Sequence, residues 1–483
     1  MRLILALLLA PAAVLAQQPL TLTLQDAIAM GQSKGPAAQV ARSIRDGARW
    51  RDQAFNARLR PQVFLSGNAA NLDRGINPIT LPDGSVDFVS QATNQSSLGM
   101  SIAQKIPLTG GTLSIGSALS RIDLFNGDQT KKTWQSTPVV IRLQQDLFRP
   151  RTLVWDEKLQ SLNSSVAERS YLEAREDVAG QTAAAFFDLY AAQRSFENAT
   201  ANAAVNDTLY TLNQGRYEVG KIGENDLLKS ELALLRARSA LDDAKVARDR
   251  AEAALRRTID LPEGQSFSIV APDSIPVIGA DPEVAVKMAL KNSSVMEQGA
   301  LDGLAAKRRI TEAKLNNRFN ASINASYGLN QTASVFGQAY QKPLDKQQLQ
   351  IGLNMPVIQW GAGRADLQAA KAGEQQAIAN NKTRRDALVE DARFSVLELQ
   401  KAQRNVVLAL KADTVAAKQF DVARNRYAIG KIAMLDLFSA QTEKDAAVIA
   451  RVQALRTYWT AYYHLRRVTL FDFARNQELS DQR

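Results

Sequence analysis

The chain has no cysteine and a single histidine, and each shortage closes off a class of function. Without cysteine there are no disulfides, no thiolate metal sites and no acylated N-terminal cysteine. His464 has no second histidine to complete a metal or nucleophilic site, so it reads as a satisfied helix histidine. A glycine-rich phosphate loop is missing too. Leu108-Thr109-Gly110-Gly111-Thr112 has no following Gly-Lys-Ser/Thr and fits a hairpin turn. No catalytic residue, cofactor or metal is therefore expected, and the chain does not read as an enzyme. The formal charge of +10 comes from 59 basic against 49 acidic residues spread along the chain. No basic run alternates with aromatics, so nucleic acid is not an expected partner. Beyond Ala16 no apolar run reaches the ~18 residues of a membrane helix. A mature chain that enters a membrane would have to do so as a closed β-barrel.

What is present begins with an export signature. Arg2 supplies the positive end, residues 3–15 the apolar segment, and Val14-Leu15-Ala16 the small-residue cleavage pattern before Gln17. Residues 24–57 read as a helix interrupted at Gly35-Pro36. Pro61 opens a segment in which Val63, Leu65 and Gly67 alternate with Gln62, Phe64 and Ser66, which is strand periodicity. A loop containing Gly, Asn, Asp and Pro is expected over 71–95. Strands at 98–106 and 112–119 flank the turn Pro107-Leu108-Thr109-Gly110-Gly111, and a polar loop leads to another strand at 139–147.

From Pro150 to Pro262 proline disappears and helical spacing takes over, first with Leu159, Leu162 and Val166. Leu227, Leu234 and Leu241 then recur at coiled-coil intervals. A helix over 152–219 would be roughly 100 Å long at 1.5 Å per residue. That is more than twice the ~40–45 Å of a bilayer with its headgroups, so an amphipathic helix of this length has to project into water. The second half repeats the plan: helix at 283–316, strands at 320–329 and 348–355, and a proline-free helical stretch from Val357 to about Phe473. An internal repeat of this size dictates the architecture.

One stretch occurs twice without a gap. Arg216-Tyr217-Glu218-Val219-Gly220-Lys221-Ile222-Gly223-Glu224-Asn225-Asp226-Leu227 is matched by Arg426-Tyr427-Ala428-Ile429-Gly430-Lys431-Ile432-Ala433-Met434-Leu435-Asp436-Leu437. Glycine stops one helix and aspartate caps or charges the start of the next, so each copy is the turn of a long helical hairpin.

These two turns resemble those of the TolC family of outer-membrane efflux and secretion channels. So do the strand-to-helix segment Pro356-Val357-Ile358-Gln359-Trp360-Gly361-Ala362-Gly363 and the ending Leu470-Phe471-Asp472-Phe473. The resemblance covers nearly the whole mature chain. It implies an α+β membrane protein: a trimeric outer-membrane β-barrel continuous with a long periplasmic α-helical coiled-coil barrel, built from two repeats per chain. It divides the chain into a signal peptide (1–16), first repeat (17–261), equatorial linker (262–282), second repeat (283–473) and tail (474–483). The implied partners are two further copies of the chain, outer-membrane lipid, a periplasmic adaptor and an inner-membrane transporter. The tips that meet the adaptor would be Val219, Gly220, Lys221 and Ile222, with Ile429, Gly430, Lys431 and Ile432. Asp226, Tyr427 and Asp436 match the aperture and gate. Ser439 stands where some members carry a second carboxylate ring, and Ile432 stands at the gating arginine position, with Lys431 or Arg426 as substitutes.

The resemblance implies a passive exit duct for a tripartite pump or type I secretion system, in the outer membrane and reaching into the periplasm. The alternative is a non-channel periplasmic coiled-coil scaffold or adaptor with a small soluble strand domain. The strands separate the two readings. A duct needs an apolar outer and a polar inner face, and Leu349, Ile351 and Leu353 alternate with Gln348, Gln350 and Asn354, which suits a barrel wall. A soluble half-buried strand would show the same alternation, so the repeat and the resemblance carry more weight. The hairpin near 98–119 would raise the trimer from twelve strands to eighteen if it enters the barrel.

Overall fold

The computed structural model describes residues 20–126, 129–272 and 274–480; the expected export signal at 1–16 lies outside the described residues. In chain order the helices are α1 (Leu24–Lys34), α2 (Pro36–Arg58), α3 (Thr152–Glu218), α4 (Glu224–Thr258), α5 (Pro282–Asn292), α6 (Ser294–Asn316), α7 (Ala362–Ala428) and α8 (Met434–Thr469). The strands are β1 (Leu20–Thr23), β2 (Gln62–Asn68), β3 (Leu72–Thr80), β4 (Val86–Lys105), β5 (Thr112–Asn126), β6 (Gln129–Asp146), β7 (Phe267–Val270), β8 (Asn320–Ala333), β9 (Leu344–Asn354), β10 (Phe471–Asp472) and β11 (Gln477–Glu478). They form two compact units, each drawn from both halves of the chain. One takes residues through Arg45, Ala167–Met296 and Arg384–Arg483; the other takes Asp46–Val166 and Glu297–Thr383.

The first unit is helical. Its core gathers Phe186 and Phe187 of α3, Leu255 of α4, Leu399 of α7, and Leu455, Tyr458 and Leu465 of α8. Thr23 starts α1 with a reciprocal cap: its hydroxyl accepts from the Asp26 amide, and the Asp26 carboxylate accepts from the Thr23 amide. The 262–282 linker contributes β7, which pairs in parallel with β1. The helix expected over 283–316 is broken at Ser293. There Glu173 accepts from the Ser293 hydroxyl and from the amide and hydroxyl of Ser294. A side-chain carboxylate thus supplies partners that helical continuity would have supplied. The last helix also stops short of Phe473: Leu470 turns left-handed at φ 46° and the chain returns as the β10–β11 hairpin. Arg466 pins that hairpin, donating to Glu176, to the Asp472 carboxylate at 2.8 Å and to the Tyr462 hydroxyl. Burial disfavours the Arg466 charge, but the Glu176 carboxylate holds its pKa above the usual value.

The second unit carries a seven-stranded antiparallel sheet in the order β2-β4-β5-β6-β8-β9, with β3 on the far part of β4. Two expected loops are strands. Residues 72–80 pair with the start of β4 around a turn at Leu81-Pro82-Asp83-Gly84-Ser85, which holds the turn-forming residues. The polar stretch after Leu119 also continues as strand, because ladder pairing uses backbone groups and tolerates Thr, Lys and Gln outward.

Candidate functional site

The sheet separates its side chains by polarity. Across five strands the register lines up Val63, Ile102, Ile115, Ile141 and Tyr327; a second row joins Leu113, Leu143, Ala325 and Leu349. Period-two alternation puts both rows on one face. The other face carries Gln62, Ala103, Ser114, Arg142, Ser326 and Gln348 across all six strands of the path. The apolar face is bare: Leu65 is 73% exposed and Leu349 69%. A soluble half-buried sheet would cover that face. A wall between hydrocarbon and water would expose it.

The β4–β5 hairpin belongs to this sheet, because Leu98, Met100 and Ile102 fall in register with Gly67, Leu65 and Val63. Its turn sits at the end where the helices start, since Lys105 faces Thr112, Thr112 faces Gln144, and Asp146 faces Ser322. Gly110, at φ 80°, makes the turn tight, and its amide donates to Ile106 O. Gln145 Nε2 donates to Thr109 O and Arg151 Nη1 to Leu108 O, which ties the turn down.

Toward the other end the outward face turns polar and aromatic. A 3-10 helix, Phe336–Tyr340, packs there with Phe336 edge-on to Trp134 at 5.3 Å, and Ser136 donates to Ala339 O. Arg121 lies over the Trp134 ring and pairs with Asp123 at 2.9 Å. Aromatic residues of this kind mark the rim of a membrane wall.

The two hairpin turns have the same backbone. Gly220 (φ 71°) donates to Tyr217 O and Lys221 to Arg216 O; Gly430 (φ 73°) donates to Tyr427 O and Lys431 to Arg426 O. Only glycine takes this left-handed position without strain. Val219 and Ile429 are each 66% exposed beside these glycines. Lys221 and Lys431 are exposed, whereas Ile222 and Ile432 are half-buried, and Ile432 packs toward Tyr427.

The three expected gate residues sit in different surroundings. Tyr427 is buried among Leu209, Phe420 and Leu437, and its hydroxyl donates to Asn213 Oδ1 at 3.4 Å. The arginine beside it is Arg216, 5.8 Å from the ring centroid, rather than Arg426. Asn213 and Arg216 lie on α3, so sequence spacing around Tyr427 gave no signal for them. Asp436 accepts from the Ala433 amide at 3.3 Å and caps α8. Asp226 makes no such cap and lies 3.7 Å from the exposed Lys229. His464 Nε2 lies 3.0 Å from Asp391 Oδ1, a local helix-to-helix contact.

The sequence profile of a family described as "Outer membrane efflux protein" matches residues 87–259 and again 285–469, one match in each half. No curated protein matches the chain significantly. Among solved structures, the CmeC outer membrane channel of Campylobacter jejuni aligns at 14% identity over 92% of this chain and 85% of its own, with a TM-score of 0.66. The outer membrane protein VceC of Vibrio cholerae aligns at 14% identity over 92% and 95%, with a TM-score of 0.63. The open state of the Neisseria gonorrhoeae MtrE channel aligns at 15% over 92% and 88%, with a TM-score of 0.62. At such identities the structures carry the fold, and the twice-matched profile carries the family. The chain belongs to the outer membrane efflux protein family, whose members are passive channels of the Gram-negative outer membrane that reach into the periplasm.

Proposed function

We propose that the chain is the outer-membrane exit duct of a tripartite efflux pump or a type I secretion system. It works as a homotrimer, and an inner-membrane transporter supplies the energy through a periplasmic adaptor. The observation that carries this reading is the bare apolar face of the sheet, backed by a polar face across six strands. Membrane barrels start at about eight strands, and lipid does not tolerate open edges. The unpaired sides of β2 and β9 therefore call for further copies of the chain. Three copies, six path strands each, would close an eighteen-stranded barrel.

In this reading the tips around Gly220 and Gly430 dock the adaptor through Val219 and Ile429, with the lysines beside them. Asp226 and Asp436 supply the negative field of the aperture, and Tyr427 holds adjoining helices together behind it. The chain follows the plan of two repeats, 17–261 and 283–473, joined by 262–282 and ending in a tail at 474–483. Purified full-length protein in a planar bilayer is expected to give discrete single-channel conductance. A protein that stays in the aqueous phase and conducts no ions would instead support the soluble scaffold.

A further inference from the structure

Where the sheet meets the helices, the outward face continues into a groove of about 610 Å³. Its floor is apolar, formed by Leu147, Val154, Trp155, Leu315 and Phe319. Leu147 follows the last residue of β6 and Phe319 precedes the first of β8. The Leu147 amide still donates to Ala321 O, so the ladder extends past Asp146. By strand alternation Leu147 shares its face with Leu143, and Phe319 with Ile323, which is the bare apolar face. Phe148 and Phe319 stack obliquely at 5.6 Å beside it. The floor is thus the lower end of the apolar band.

The rim of the groove is basic. Arg149, Arg151, Lys158 and Arg318 line it, and no acidic residue does. The Arg149 guanidinium is 3.9 Å from Asp146, with both side chains about half exposed, so that pair is weak. Arg151 spends one donor on Leu108 O. Lys158 and Arg318 have no ion-pair partner among the described residues. Four cations over an apolar floor, at the depth where a hydrocarbon face gives way to water, match one class of ligand. That class has a phosphate-bearing anionic head and acyl chains that run along the wall.

We infer that this groove binds an anionic glycerophospholipid of the periplasmic leaflet. The headgroup phosphate is held by Arg149, Arg151, Lys158 and Arg318, and the first methylenes of the acyl chains lie on Trp155 and Phe319. The inference rests on the membrane-wall reading above. A zwitterionic lipid fits less well, because its ammonium group would meet a rim of like charge.

Trp155 supplies the readout. Full-length protein is reconstituted into phosphatidylcholine vesicles doped with phosphatidylglycerol carrying brominated acyl chains, and bromine quenching of tryptophan is recorded. The difference between the parent and Trp155→Phe isolates the groove signal. Half-quenching is expected at a low mole fraction of brominated phosphatidylglycerol and at a much higher one of brominated phosphatidylcholine. The double variant Arg149→Gln/Arg318→Gln should need about thirtyfold more phosphatidylglycerol, from roughly fivefold per basic group at an anionic lipid surface. Inorganic phosphate at millimolar concentration should not reverse the quenching. Vesicle flotation is run in parallel and separates the two readings. If the protein floats but quenching is the same for both lipids and in the double variant, the lipid site is refuted and the membrane wall stands. Reversal by inorganic phosphate would make the groove an anion site without lipid specificity and would also refute it. Failure to float would overturn both readings.

Discussion

Placing an arginine at two adjacent positions of β4 tests whether the central hairpin is part of the membrane wall. Met100 sits opposite Leu65 and Ser117 on the apolar face and is 53% exposed; Ser101 sits opposite Phe64 and Gly116 on the polar face. The two substitutions, Met100→Arg and Ser101→Arg, add the same side chain one residue apart. Differences in strand propensity and chain entropy largely cancel between them. An arginine on the lipid face of a barrel costs about 2–4 kcal/mol near the midplane, while a lumen position costs little. That corresponds to roughly thirty- to a thousandfold in the folding equilibrium of each chain. In a trimer the penalty falls on every copy. The readout is urea titration of protein folded into lipid vesicles, followed by the gel-mobility difference between folded and heated samples. Met100→Arg should fold poorly or at a clearly lower urea midpoint, and Ser101→Arg should behave like the parent. If the two variants agree within about 0.5 kcal/mol, as exposed sites in water do, the hairpin does not face lipid and the register argument fails.

Gly220→Val and Gly430→Val force a β-branched residue into a left-handed position at about 1–2 kcal/mol each. Efflux-dependent growth on toxic compounds should fall while folding in lipid is retained; growth at parental levels in both variants would remove the tips from docking. Asp436→Ala loses a first-turn carboxylate that accepts from the Ala433 amide, worth about 0.3–1 kcal/mol, whereas Asp226→Ala loses no such bond. Both should weaken cation preference in bilayer recordings, and unchanged selectivity with a lower melting temperature for Asp436→Ala alone would reduce that residue to a cap. Arg466→Met leaves Glu176 and Asp472 buried without their cation, at about 3–5 kcal/mol. Limited proteolysis should then cut first after Arg475, and parental resistance there would mean that other contacts hold the tail.

Long proline-free patterns and repeated turns made the helices legible in the sequence, and α3 ends within one residue of its expected boundary. The hairpin tips were legible for the same reason, since a glycine with a fixed neighbourhood occurs twice. Helix breaks were harder to see. Ser293 is marked by a carboxylate from α3 that lies far away in sequence, and Leu470 by a left-handed turn without glycine. Strand ends were hardest. In β5 and β6 the apolar alternation stops near Leu119 and Val139, but the backbone ladder runs on through Arg121, Thr133 and Lys132. Hydropathy reports where a strand carries an apolar face, and the hydrogen-bonded strand is longer. The company of Tyr427 could not be read at all, because Asn213 and Arg216 reach it from the other hairpin.

The join between β6 and β8 sets an order of events during synthesis and folding. Trp134 pairs with Ala333, and Asp146 with Ser322, across a stretch of chain that holds all of α3 to α6. The first-half strands can pair among themselves as soon as they emerge, β3–β4, β4–β5 and β5–β6 as hairpins and β2 on the end of β4. The edge of β6 must then wait, unpaired, until the whole first helical hairpin and the following linker have been made. Closing so long a loop is slow, and an exposed strand edge is a template for wrong partners in the meantime. A chain interrupted anywhere before Asn320 would leave that edge open permanently. Such truncated products should be the aggregation-prone species during biogenesis, and the cell's periplasmic holding factors should spend longest on the β6 edge.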